Sequence, residues 1–455
     1  MSDWVEMYYG GGTNYLHADL HKALFKSGNS SEIIFGTDGG VFYSNNANLT
    51  TPEFHERNYY YASLQFYTCD IGNGTNYLGG LQDNGTVLYQ GQPLYYATDM
   101  YSGGDGAFCF FDPDEDIVIT SVYDNQYYVF YSGNFTQINQ YYCGLFINPV
   151  DYDGQNNILY ANAMDVNGNY EDNLIRITGI PDNPSGNYLF LNTGSTVPYS
   201  NITLSPNSSN VLFIGTQSGR FFKATNINTT PVVTEIGSNL FPPANISCIA
   251  IGSTDNTILV TFSNYGVQKI WLTTDGGNNW TDKTGNLPDM PVRWVIFHPQ
   301  NDEQAMIATE LGVWTTNELT QSFTNWYPSV TGPANVRTDM LRIRTSDNKV
   351  LAATHGRNFY TTTFDLDYYV GNYALNSKNI ISVFPNPVHS YINITSTIPL
   401  TSITLVSLKG KTIKTFDVNN QKNIRLKAKY LLPGIYFIKS IDAENKTHII
   451  KMLKE

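Results

Sequence analysis

The chain has 455 residues, is rich in Gly (37), Tyr (33) and Phe (24), and has few charged residues (14%). Its formal net charge of −13 is unevenly placed: residues 1–377 hold 14 Lys+Arg against 35 Asp+Glu, a net of −21, and residues 378–455 hold 12 against 4, a net of +8. An acidic body repels phosphate and argues against a nucleic-acid partner, and the lack of any apolar run of about 18 residues excludes a membrane-spanning helix.

The length fits two or more domains. Abundant Gly, Asn, Tyr and Thr without long apolar helical stripes predicts an all-β chain. The start, Met1-Ser2-Asp3-Trp4-Val5-Glu6, lacks the basic residues and apolar stretch of a signal peptide. We therefore read Met1 as not the native start and the chain as the C-terminal part of a longer protein.

From there the body repeats. A β-rich run that ends in a small residue and a Gly- or Asn-containing turn recurs at 33–44, 77–89, 117–132, 158–168, 211–225, 258–274, 305–316 and 350–362. The turn-entrance residues Thr37, Leu81, Ser121, Asn162, Thr216, Thr261, Thr309 and Thr354 are 40 to 54 residues apart. A strand leading into a polar turn precedes several copies, as in 145–154 and 295–303. Periods of about 40–50 residues with several strands each predict the blades of a β-propeller. Eight blade repeats are visible over 1–365, and any further blades would lie upstream.

The repeats resemble the sortilin-like and BNR-repeat propellers, the superfamily that includes xyloglucanase-type glycoside hydrolases. Thr273-Thr274-Asp275-Gly276-Gly277-Asn278-Asn279-Trp280 matches the Asp-box, with Asn279 in place of Thr. Further family-like stretches are 17–21, 80–86, 103–106 and 354–357. The resemblance implies a propeller over about residues 10–365 and leaves activity open, because such folds host hydrolases, receptors and scaffolds. In the Asp-box, Thr273, Asp275, Gly277 and Trp280 are read as structural: carboxylate to turn amides, Gly for positive φ, Trp into the blade. A sialidase would also need an arginine triad and a Tyr–Glu pair; the chain has nine arginines in all, and the Phe-Arg-Ile-Pro motif is absent.

Several groups could carry chemistry. His17, Asp19 and His21 would share one face of a strand; two imidazoles and a carboxylate can hold a metal, and equally can form a hydrogen-bonded lock between blades, the reading preferred here. Asp83 and Asp105 lie in Gly-flanked loops, with Asp19, Asp38, Glu310 and Asp339 in comparable turns. Inverting glycosidases need two carboxylates roughly 6.5–9.5 Å apart, so Asp83 and Asp105 are the candidate catalytic pair. The Asp-rich loops 112–116 and 165–169 could take calcium but lack EF-hand spacing; no other cofactor is expected. Tyrosine clusters at 59–61, 127–128 and 141–142 could stack on sugars or fill strands. Cys69, Cys109, Cys143 and Cys248 form no CxxC pair and are read as buried free thiols, with disulfides left open in an oxidising compartment.

Charge and composition change near 366–380. After it come ISVFPNPVHSYINI (381–394), LVSLKGK (405–411), LLPGIYFIKS (431–440) and HIIKMLKE (448–455). Pro385 and Pro387 bar a helix, and short β-rich runs at 391–394, 402–406, 424–426 and 435–438 predict a small Ig-like antiparallel sandwich. This segment resembles the type A C-terminal sorting domain of the type IX secretion system of Bacteroidetes, with Pro385, Asn386, Pro387, Gly410, Gly434 and Tyr436 as its key positions. The resemblance implies export to the outer-membrane surface or the medium and the secretion machinery as a partner. The expected order is propeller 1–365, linker 366–379 and sorting domain 380–455. Two functions compete for the propeller: a non-catalytic platform that binds or adheres to a polysaccharide or surface protein, or a glycoside hydrolase using paired carboxylates.

Overall fold

The computed structural model describes residues 2–3, 12–58, 61–91, 99–138, 143–237, 239–329, 332–333, 335–365, 381–407, 411–443 and 447–455. Two compact units divide the chain, Met1–Val370 and Gly371–Glu455. The expected linker 366–379 lies outside the described residues. Among the described residues every element is a strand and none is a helix.

Among its described residues the first unit holds eight antiparallel sheets, one per repeat, in which consecutive strands are neighbours. We number them by position: sheet 1 (20–56), sheet 2 (66–102), sheet 3 (106–137), sheet 4 (150–190), sheet 5 (199–235), sheet 6 (246–282), sheet 7 (292–328) and sheet 8 (338–363). Sheet 8 has three strands among the described residues and the others have four. The second strands are near-continuous apolar runs because both of their faces are covered: all of Val211–Thr216 and of Ile258–Phe262 is buried. Outermost strands such as Val232–Glu235 are largely exposed.

Seven sheets close a propeller ring. Apolar clusters join sheet 2 to 3 (Leu78, Cys109), 3 to 4 (Ile119, Ile175), 4 to 5 (Leu174, Ile214), 5 to 6 (Phe213, Val260), 6 to 7 (Leu259, Ile307) and 7 to 8 (Met306, Leu341). The seventh joins sheet 8 back to sheet 2 through Met340, Leu351, Phe66 and Cys69. The seam is completed by backbone pairing of Gln65 with His355. Sheet 1 has the same build but stands outside this ring. Its core is its own, formed by Leu16, Ile33, Phe35, Phe42 and Phe54, and its first strand, Leu20–Lys26, is exposed at every residue.

The ring's axial channel is crossed by side chains. Phe108 of sheet 3 meets Trp294 of sheet 7 at 6.5 Å between ring centroids, although these sheets are not neighbours in the ring. Arg342 of sheet 8 lies over the Trp294 ring at 5.5 Å and donates through Nε to the Cys69 carbonyl at 3.3 Å. Asp70 and Asp151 accept the backbone N–H of Phe111 and Leu204, in the next sheets along, each at 2.8 Å. Burial pushes both carboxyls up, against the pull of Arg342. Cys69, Cys109, Cys143 and Cys248 are all free and buried.

The second unit is a single curled antiparallel sheet of five strands. The runs 391–394 and 402–406 belong to one long strand, Tyr391–Ser407. Register shifts between Thr395 and Ser402 bend it, so its first half pairs with Ile381–Phe384 and its second with Gly434–Asp442. A continuous strand replaces the expected break because both halves bury residues in one core, which includes Ile392, Ile394, Leu400, Ile403, Leu405, Ile438 and Met452.

Candidate functional site

In sheets 2 to 8 the entrance to the first strand and the turn after the second fall on one face of the ring, as the register pairs Phe66 with Leu81, Val292 with Thr309 and Thr338 with Thr354 show. The carboxylates singled out in turns collect on this loop face. Where sheets 7 and 8 meet, Arg293 donates to Glu310 from Nε and Nη2 at 3.0 and 2.7 Å. Its Nη1 lies 3.5 Å from Asp339. Arg337 grips Asp339 through Nε and Nη2 at 2.8–3.0 Å. Burial raises the Asp339 carboxyl, and both arginines and His355 oppose that shift. His355, whose Nδ1 is 3.9 Å from Asp339, is held below the ordinary imidazole value by burial and by Arg337 and Arg293.

Across the seam, Asp105 accepts the backbone N–H of Asp83 at 3.1 Å. Asp83 has φ of 57°, and burial, then Asp105, Asp38 and Asp19, raise its carboxyl. The Tyr67 ring lies 6.1 Å from that of His355, centroid to centroid; burial first, then Asp105 and Asp83, push its phenol up to about 12. The glycines here allow close approach: a Cβ on Gly80 would lie 2.0 Å from the Ala107 carbonyl oxygen, and one on Gly106 2.1 Å from that of Gly85.

The His17–Asp19–His21 triplet does not present one face of a strand. His17 and Asp19 precede the strand that starts at Leu20, and Asp19 has φ of 56°, which breaks the extended run. His17 Nε2 lies 3.4 Å from the Asp83 carbonyl oxygen, and His21 pairs with Asp38. Instead, Asp19, Asp38 and Asp83 bring carboxylate oxygens within 4.8 Å of one another. Asp165, in one of the loops considered for calcium, accepts the backbone N–H groups of Asn167 and Asn169, both at 2.9 Å.

The residues that resemble an Asp-box form a closed turn. Thr273 donates to Asp275 at 2.8 Å, Gly277 N–H donates to Thr273 at 3.0 Å, and Trp280 donates to the Ile236 carbonyl at 2.9 Å. Asn279, which replaces the usual Thr, donates to Asp275 from its backbone and its side chain at 2.9 and 2.7 Å. Those bonds, the Asn279 side chain foremost, hold the Asp275 carboxyl below its usual range.

In the second unit, Asn386 between Pro385 and Pro387 fastens the opening motif to the last strand. Its Oδ1 accepts Leu453 N–H at 2.9 Å and its Nδ2 donates to the Lys451 carbonyl at 3.3 Å. Gly434 has φ of 152°, and Tyr436 donates to the Leu432 carbonyl at 2.8 Å. Gly410 lies outside the described residues.

Residues 382–455 match the secretion system C-terminal sorting domain family. The C-terminal segment is a type IX sorting domain. It implies an interaction with the type IX secretion machinery and a secreted or outer-membrane-surface location. Among the described residues no helix is long and apolar enough to cross a membrane. No curated protein matches the chain. Among solved structures, it is similar to the extracellular domain of a putative hybrid two-component system, BT3049, from B. thetaiotaomicron, at 13% identity and a TM-score of 0.51, covering 98% of this chain and 62% of that one. The likeness shows a shared fold, and this chain spans less than two thirds of that protein's length.

Sequence reasoning missed Arg342, Asp70 and Asp151, which sit in apolar strands with no motif around them. It also missed the partners of Asp339 and Glu310: Arg293 and Arg337 open the first strands of successive sheets, and that repeated placement was the available signal.

Proposed function

We propose that the propeller is a non-catalytic binding platform of BNR/sortilin-like type, displayed or released by type IX secretion, that takes a glycan or a protein on its loop face. The observation that carries this reading is the state of the carboxylates there. Glu310 and Asp339 are committed to Arg293 and Arg337, and Asp105 is committed to a turn amide. A surface of paired charges over a plugged channel suits recognition better than proton transfer, which needs one free acid and one free base.

A hydrolase remains the second reading because the Asp83 carboxyl is raised by burial and by Asp105, as a general acid requires. Incubating the protein with a polysaccharide panel and following both reducing ends and retention on insoluble glycans separates the two. Retention without new reducing ends supports the platform. New reducing ends that vanish in Asp83→Ala or Asp105→Ala overturn it in favour of the hydrolase.

A further inference from the structure

Within that glycan-binding reading, on which this inference rests, one spot on the loop face is built differently from its surroundings. Tyr123 follows the second strand of sheet 3, and Phe146 lies in the entrance to sheet 4. Their rings stack nearly parallel, with centroids 5.7 Å apart and an interplanar angle of 9°. They are 36% and 52% exposed, so two aromatic rings meet at the surface rather than in a core. The Tyr123 ring also leans on the turn beside Asp105: a Cβ on Gly104 would sit 3.5 Å from Tyr123 Cε1.

Beneath the pair lies a buried amide network. Asn125, two residues after Tyr123, and Asn148, two after Phe146, are 1% and 3% exposed, and Asn162 is fully buried. Asn148 donates to Asn125 Oδ1 at 2.7 Å, and Asn162 donates to Asn148 Oδ1 at 3.0 Å. Asn125 also donates to the Asn162 carbonyl at 2.8 Å and the Cys143 carbonyl at 3.0 Å. Asn148 Oδ1 accepts the N–H of Leu145, next to Phe146. A satisfied buried network of this kind fixes the loops above it, so the rings lose little entropy when a ligand settles on them.

We propose that Tyr123 and Phe146 form the stacking platform of a subsite for a neutral polysaccharide. A flat aromatic strip receives the C–H face of a sugar ring, and the carboxylates of Asp105, of Asp83 bonded to it through its backbone N–H, and of Asp124 next to Tyr123 in sequence can accept its hydroxyls. The same carboxylates, in a unit whose sequence is strongly acidic, repel uronic or sulfated chains.

The test is affinity electrophoresis of the full chain in gels containing a soluble galactomannan, a mixed-linkage β-glucan, a dextran or polygalacturonate. Retardation by at least one neutral polymer and none by polygalacturonate is expected. Tyr123→Ala and Phe146→Ala should each weaken it about tenfold, Tyr123→Phe should keep it, and Phe323→Ala, an exposed aromatic outside this pair, should not change it. Unshifted thermal melting of each variant excludes misfolding. Retardation that ignores both alanine variants overturns this subsite and leaves the glycan-binding reading standing. No retardation by any neutral polymer overturns both, and capture of a protein ligand lost in Tyr123→Ala would reassign the platform to protein recognition.

Discussion

Sheets 1 and 5 come from the same repeat and meet opposite surroundings. In both, a threonine closes the turn after the second strand: Thr37 donates to the Gly40 carbonyl at 3.1 Å, and Thr216 to that of Arg220 at 3.3 Å. Yet Val211–Thr216 is wholly buried between two neighbouring sheets, while Asn29–Thr37 leaves Ile34 bare and the adjoining strand leaves Leu20, Leu24 and Phe25 bare. The repeat specifies strand, turn and pairing. Burial comes from the neighbours, and the ring has already closed without sheet 1.

That contrast can be broken or sharpened by substitution. Phe213→Ala, in the core between sheets 5 and 6, should cost about 3–5 kcal/mol in equilibrium unfolding of the ring. Arg342→Ala strands Asp70 and Asp151 in the plugged channel and should cost about 3 kcal/mol, with Arg342→Lys recovering part of it. A loss below about 0.5 kcal/mol would mean that the plug does not hold the ring. In the second unit, Asn386→Ala removes both bonds to the last strand and should cost about 1 kcal/mol. Hydrogen exchange at 447–455 should accelerate, and unchanged protection would show that the clamp carries no load.

The pH response should be smaller. His355 is held below its ordinary value in the fold, so as pH falls the unfolded chain takes up the proton first. Its contribution to stability is complete above about 6.5 and drains as pH drops below that value. Melting temperatures from pH 7.5 to 5 should therefore fall less steeply for His355→Gln than for the parent, and parallel curves would refute the assignment. Smallest of all, Phe25→Ala on sheet 1 should change stability by no more than about 0.5 kcal/mol. A loss approaching that of Phe213→Ala would show that the Phe25 ring is covered in solution.

Much of this fold was legible because a propeller writes each blade into local sequence. The second strands read as apolar runs, and their turn-entrance residues, from Thr37 to Thr354, each fall at the end of one or one residue before it. The number of blades in the ring was not legible, since whether sheet 1 or sheet 8 joins it depends on which distant residues they meet. The site was half legible. Gly flanks marked Asp83 and Asp105 as turn residues, and the turns do share a face. The partners of Asp339 and Glu310 depended on which sheets adjoin, and so did the meeting of Asp19 and Asp38 with Asp83. Tyrosine abundance pointed to aromatic clusters, of which Tyr61 is exposed, but not to the stacked pair Tyr123 and Phe146. Tyr127 is buried, with its hydroxyl on Asn125 at 2.7 Å, and Tyr59, Tyr60, Tyr141 and Tyr142 lie outside the described residues. Tyr123, isolated in sequence, stacks in the open on Phe146, as Tyr170 does on Tyr188.

The seam at Gln65 and His355 also sets an order of events for the emerging chain. The N–H of Cys69 reaches the sulfur of Met340, 271 residues away, so sheet 2 cannot obtain its last neighbour until sheet 8 exists. Until then Phe66 of sheet 2 and Met306 of sheet 7 face solvent at opposite ends of an open arc, and such flanks invite association between chains. A stalled or shortened polypeptide ending before 354 would lack the strand that closes the circle, and would be a substrate for aggregation or proteolysis rather than a smaller propeller.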